Sequence, residues 1–205
     1  MISINITNLT KKYRVGFKKQ LVLKDINLFI TSEKCNFLLG YNGSGKSTLI
    51  KCILNHVDYE GKIENNAKKV SYAPEKIVLP DFISVYTFLE QYLRIKKMYN
   101  DEGIKCLNYY IDVFKLNDHL NKNIHQLSKG NKQKINLIQA LIIDSDIYIF
   151  DEPLSGLDNE IKEVFINEIR RLKKLKKLIV ISTHSLKDFN FKVRNLIYIK
   201  WKEVK

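Results

Sequence analysis

An α/β fold with a mostly parallel sheet, helices on both faces, is predicted by three observations. Predominantly apolar runs of strand length recur at Cys35–Leu39, 147–150 and 178–182. Segments of helical period lie between them, and a glycine-rich turn joins the first run to the helix after it. Continuous apolar strands alternating with helices are the pattern of a sheet buried on both sides.

Taken in order, residues 26–30 alternate apolar and polar, and 35–39 run straight into GYNGSGKST, so both are read as strands. TLIKCIL at 48–54 contains no breaker and reads as a helix. The stretch 85–114 turns helical, with Phe88, Leu89, Tyr92 and Leu93 at i, i+1, i+4 and i+5. A small helical insert is expected there. A further helix starts near Ser128 and carries Ile135, Leu137, Ile138 and Leu141. The strand IYIF, a charged helix over 159–176 and the strand LIVIS follow, and NLIYIKWKEVK reads as a last strand with a basic end. No internal repeat, low-complexity tract or long linker interrupts this order, so the 205 residues are expected to form one domain.

Composition narrows the function classes. With 45% hydrophobic residues the chain can bury a substantial core and is not a disordered tail. No stretch reaches the roughly 18 uninterrupted apolar residues of a membrane span. The opening MISINITNLT has no charged lead before an apolar core, so a cytosolic location is expected. Cys35, Cys52 and Cys106 are an odd set without metal-like spacing and are read as reduced thiols. The net charge of +13 would suit a polyanionic partner, but only five of the 35 basic residues are arginine. A lysine-, asparagine- and isoleucine-rich chain also follows from AT-rich coding, which requires no nucleic-acid function.

The phosphate chemistry is carried by the turn. Gly40, Gly45, Lys46 and Ser47 fill GxxxxGK[ST] between a predicted strand and a predicted helix. In such a loop, here Gly40, Tyr41, Asn42, Gly43, Ser44 and Gly45 leading into Lys46, Ser47 and Thr48, backbone amides and a helix N-terminus converge on one anion. Lys46 would reach the β and γ phosphates of a nucleoside triphosphate, and Ser47 would offer its hydroxyl to Mg2+. A second element, the apolar strand IYIF ending in Asp151 and Glu152, would place one carboxylate on Mg2+ and the other against the attacking water.

Those two motifs alone suit a kinase, a GTPase, a helicase or a transporter ATPase. Three more narrow the choice: LSKGN at 127–131, with Ser128 lying 23 residues before Asp151; SGLD at 155–158; and TH at 183–184. Together, and in this order, the five resemble the ATP-binding-cassette (ABC) ATPase family along nearly the whole chain. The resemblance implies a RecA-like P-loop core with an N-terminal antiparallel β part and a helical subdomain at about 76–145. It implies a head-to-tail dimer with a second nucleotide-binding subunit, identical or not, in which Ser128 and Gly130 of one chain meet the ATP on the other's P-loop. It also implies that Asp158 belongs to the D-loop, that His184 contacts the γ-phosphate, and that an integral membrane permease holds the subunit on the inner face of the membrane.

Departures from the family pattern are equally specific. Lys129 stands for the signature's first glycine and Asn131 for its last glutamine. In YAPEK, Glu75 replaces the glutamine that links magnesium and water to the permease; an ionised carboxylate accepts hydrogen bonds but cannot donate them. That change points toward export. Tyr13 resembles the family's adenine-stacking aromatic, with Phe17 as the alternative and Val22 as a second adenine contact. The expected activity is ATP hydrolysis coupled to transport, with no specific nucleic acid bound. Two alternatives are a non-transport ABC ATPase on nucleic acid or the ribosome, and a weakly hydrolysing nucleotide sensor. Against the first, only 81 residues separate Ser47 from Ser128, too few for the long coiled coils of DNA-repair members.

Overall fold

The computed structural model describes residues 1–200 and 203–204. Strands β1 (Ser3–Val15), β2 (Lys18–Thr31) and β4 (Glu60–Asn65) form an antiparallel sheet in the order β2-β1-β4. The main sheet has β3 (Cys35–Leu39), β5 (Val70–Ala73), β6 (Ile147–Asp151), β7 (Leu178–Thr183), β8 (Arg194–Lys200) and β9 (Glu203–Val204) in the order β5-β6-β7-β3-β8-β9. All its pairings are parallel except β8 with β9. The predicted last strand is therefore two strands, and Trp201, Lys202 and Lys205 of that segment lie outside the described residues.

Every residue of β3, β6 and β7 is buried, because both faces of the sheet are covered. Successive side chains of these strands enter opposite cores, following the period of two. Phe37, Leu39, Tyr148, Phe150, Ile179 and Ile181 face the helical side. Leu38, Ile147, Ile149, Leu178 and Val180 face α1 (Lys46–Ile53) and the antiparallel sheet.

The helical insert follows β5. Its expected helical run is broken into α2 (Val85–Ile95) and α3 (Asp101–Val113) at Lys97, whose φ is 56°, before Asn100 caps the second helix. The sequence α4 (Lys129–Leu141) returns the chain to β6, and α5 (Asn159–Lys174) lies between β6 and β7. This helix stops short of residue 176 because Lys176 is left-handed, with φ 59°. A buried carboxylate joins the insert to the core: Glu168 of α5 accepts hydrogen bonds from the hydroxyls of Tyr109 (3.1 Å) and Tyr110 (3.2 Å) in α3 and pairs with Arg171 at 2.8 Å. Among the described residues no helix is long and apolar enough to cross a membrane.

Candidate functional site

In a parallel sheet the carboxyl ends of neighbouring strands align, and here they bring the sequence motifs together. Leu39 pairs with Thr183, Asp151 with Ser182, and Ala73 with Phe150, so the turns after β3, β5, β6 and β7 open on one edge. Residues 40–48 curl from β3 into α1. Gly45 precedes the helix with φ 111°, a conformation that L side chains rarely adopt, and a Cβ there would also crowd Leu23 at 3.1 Å. At Gly40 a Cβ would collide with the Ile199 carbonyl and the Ser44 hydroxyl. The Ser44 hydroxyl oxygen is buried with no hydrogen-bond partner, while Tyr41 is 90% exposed.

Lys46 is buried in this loop. Its Nζ donates to the carbonyls of Gly40 (2.7 Å) and Tyr41 (3.3 Å) and lies 3.5 Å from Glu152 Oε1. Glu152 is buried too, and its φ of 48° is unusual for a glutamate. Its amide donates to both the hydroxyl (3.1 Å) and the carbonyl (3.2 Å) of Ser182, and the Ser182 hydroxyl in turn donates to Asp151 Oδ1. Oε2 of Glu152 takes a hydrogen bond from His184 Nδ1 at 3.0 Å, and a carboxylate at that position fixes the proton on Nδ1. Oε1 has only the lysine, at the limit of hydrogen-bond distance.

Ser47, Asp151 and Glu75 line one cavity of about 460 Å3 together with Tyr72 and Pro74. Burial raises the pKa of the Tyr72 hydroxyl, and the charges of Asp151 and Glu75 raise it further, so the two carboxylates converge on this space. Among the described residues no three His, Cys, Asp or Glu cluster as a metal site. One hydroxyl and two carboxylates fit a cation such as Mg2+, which takes few protein ligands and fills its remaining positions from phosphate and water.

The remaining candidate residues lie on other elements. Ser128 caps α4 by accepting from the Asn131 amide at 3.2 Å, and Asp158 caps α5 by accepting from the Ile161 amide at 2.9 Å. Gly130 packs on the loop after β6, where a Cβ would sit 2.5 Å from the Gly156 carbonyl oxygen. Ser47 and Thr48 are half-buried in the first turn of α1, and Asn42 and Gly43 are exposed with Tyr41. On the β1–β2 hairpin, Val22 approaches the phosphate loop: its Cγ1 is 3.5 Å from where a Gly45 Cβ would be. Tyr13 pairs with Gln20 and carries the Lys11 ammonium 4.7 Å above its ring, while Phe17 is fully exposed at the hairpin turn. Sequence reasoning missed Ser182; the available signal was a serine closing an otherwise apolar buried strand.

The family model described as "ABC transporter" matches residues 23–155. The chain is 35% identical over 184 residues to the uncharacterized ABC transporter ATP-binding protein MJ1023 of Methanocaldococcus jannaschii, covering 89% of this chain and 68% of that one. It is 31% identical over 196 residues to the molybdate/tungstate import ATP-binding protein WtpC of the same organism, covering 90% of this chain and 63% of that one. The chain thus spans about two thirds or less of the length of most curated relatives it matches. A solved ATP binding subunit of an ABC transporter superposes with a TM-score of 0.82 at 25% identity, covering 98% of this chain and 89% of that structure. With five motifs in order along the sequence, the phosphate loop, Asp151, Glu152 and His184 at one edge of the parallel sheet, and a family model over residues 23–155, this protein belongs to the ABC transporter family.

Proposed function

We propose that the chain is the ATP-binding and ATP-hydrolysing subunit of an ABC transporter, a single domain over 1–205 with a helical subdomain at about 76–145. In this reading the amides of 40–48 and Lys46 bind the β and γ phosphates, and Ser44 supplies a hydroxyl that otherwise has no partner. Ser47, Asp151 and Glu75 would hold Mg2+, whose charge would offset that of the phosphates. Glu152 takes the proton of the attacking water, and His184, hydrogen-bonded to it, orients the carboxylate and reaches the γ-phosphate. Val22 and an aromatic of the hairpin, Tyr13 before Phe17, cover the adenine.

The observation that carries this reading is Glu152 itself. It is a buried carboxylate in a strained backbone conformation, held between Lys46 and His184 at the end of the phosphate-loop sheet. The likeness of LSKGN, with Ser128 and Gly130, to the family signature supports a dimer whose second chain completes each site. Val78 and Phe82, exposed just beyond Glu75, offer an apolar surface to a membrane permease that would keep the subunit on the cytosolic face. Export is the direction favoured by Glu75; similarity to an import protein weighs against it, and transport assays of the reconstituted complex decide between them.

Glu152→Gln keeps the side-chain shape and removes the base. Steady-state hydrolysis is expected to fall by roughly 10² to 10⁴-fold with ATP binding retained. Sedimentation should then find a monomer without nucleotide or with ADP and a dimer with ATP. Unchanged turnover would remove Glu152 from the mechanism, and a monomer at saturating ATP would remove the isolated dimer.

A further inference from the structure

Two amide side chains on α4 are buried without belonging to any motif. Gln133 and Asn136 are three residues apart, hence on one helix face, and are 3% and 4% exposed. Asparagine is a mediocre helix former, and a buried amide is costly unless hydrogen-bonded. Both side chains direct their bonds out of the helix. Gln133 Nε2 donates to the Pro153 carbonyl at 2.8 Å, and Asn136 Nδ2 donates to the Pro74 carbonyl at 2.9 Å and lies 3.4 Å from Gln133 Oε1.

The two accepting carbonyls flank the acids of the site. Pro74 immediately precedes Glu75, and Pro153 immediately follows Glu152. Because β5 and β6 are paired neighbours, the amide pair spans the gap between the two loops that leave them. The same helix is fixed at its start against the second loop, through Lys129 Nζ to Ser155 Oγ at 3.2 Å and through Gly130 against Gly156.

We propose that Gln133 and Asn136 are positioning residues, an amide bridge through which α4 sets the peptides beside Glu75 and Glu152 and links both acids to the signature at its own N-terminus. The inference rests on the reading of Glu152 as base and of Ser128 as a contact to the partner's nucleotide. Proline has a fixed φ, so holding its carbonyl constrains the neighbouring peptide strongly. A glutamate at φ 48° persists only where its surroundings over-determine it; Gln133 constrains it from one side and Ser182 from the other. A shift of α4 on engaging the partner's ATP would then move both carboxylates of its own site together, coupling the two nucleotides of a dimer.

Gln133→Met and Asn136→Leu remove the donors while keeping the side chains' bulk. Each is expected to lower kcat about tenfold or more, since sub-ångström misplacement of a reacting group is enough for that. Affinity for a fluorescent ATP analogue should stay within twofold. The double variant should be no slower than the slower single, because the pair acts as one unit. Single variants with kcat within twofold of the parent, losses that multiply in the double variant, or affinity that falls in step with kcat would each overturn the bridge. If thermal melting finds Q133M unfolded, Asn136→Ala carries the same expectation and the same refutation. Glu152→Gln is assayed beside them: if it is inactive while Q133M turns over normally, the bridge alone fails, and if it turns over normally the underlying reading fails.

Discussion

The two ends of the main sheet both hold a cavity lined by lysine, and the larger one carries none of the motif residues. At the amino ends of the strands, a space of about 700 Å3 is bordered by Ser32, Asp146, Lys173 and Lys177. Three of the charged side chains there have partners within the chain: Lys177 pairs with Asp144 at 2.6 Å, Lys173 donates to the Ser32 carbonyl, and Asp146 accepts the amides of Lys68 and Lys69. At the carboxyl ends the cavity is smaller, but Ser44 Oγ and Glu152 Oε1 are buried without hydrogen-bond partners and Lys46 lies on backbone carbonyls. Volume does not distinguish the two ends. What distinguishes them is polar capacity left for a ligand: among the described residues three buried side-chain atoms have no hydrogen-bond partner, and two of them, Ser44 Oγ and Glu152 Oε1, lie at this end, the third being His119 Nδ1.

Substituting one lysine from each end tests that contrast most strongly. Lys46→Ala removes the charge-assisted contact to phosphate, worth about 1.5–3 kcal/mol or more in a buried loop, and titration calorimetry should find ATP affinity lowered roughly 10- to 100-fold or beyond. Lys176 also borders the space at the other end, and Lys176→Ala should leave affinity and turnover within twofold. Equal losses from both would erase the distinction. Ser182→Ala is expected to have the next largest effect. It deletes the hydroxyl donor to Asp151 and one acceptor for the Glu152 amide, whose second acceptor, the Ser182 carbonyl, remains. A loss of about 1–3 kcal/mol in unfolding free energy is expected, with a fall in kcat exceeding any change in ATP affinity.

The smallest effect concerns the thiols, with Cys35 inside one core and Cys52 inside the other. Burial pushes Cys35 up to about 12, partly offset by Lys173, and Cys52 up to about 11, partly offset by Lys11, from an ordinary 9.0. Folded thiols therefore keep their protons where unfolded ones lose them. Their contribution to stability is complete below pH 9.0 and is lost as pH rises toward the folded values. Alkylation at pH 8 should label the half-buried Cys106 first, while Cys35 and Cys52 wait for unfolding; mass spectrometry of partially labelled protein would show the order. Rapid native labelling of Cys35 would contradict its burial.

Much of the fold was legible because its signals are local. The apolar runs of β3, β6 and β7 need no partner to be recognised, and the glycines of 40–48 announce a turn by composition. β4 and β5 were not read: β4 is mostly exposed on the edge of the small sheet, and β5 has only four residues. Within the candidate site, Lys46, Ser47, Asp151 and Glu152 stood in motifs. Ser182, Gln133 and Asn136 did not, since their partners are set by strand register and helix packing over separations of 31, 20 and 62 residues. A polar residue inside an apolar run was the visible trace of Ser182 and Asn136, whereas Gln133, between Lys132 and Lys134, left none. The hairpin aromatic was the least legible, because Tyr13 and Phe17 flank the same turn and only register separates them.

The Glu168 carboxylate also determines how the molecule comes apart. Opening α3 alone would take the Tyr109 and Tyr110 hydroxyls from the carboxylate, which keeps Arg171, and each hydrogen bond lost from a charged group costs about 1.5–3 kcal/mol. The second helix of the insert and the long helix of the core are thereby expected to open as one cooperative unit, and amide hydrogen exchange should find protection factors in the two that rise and fall together.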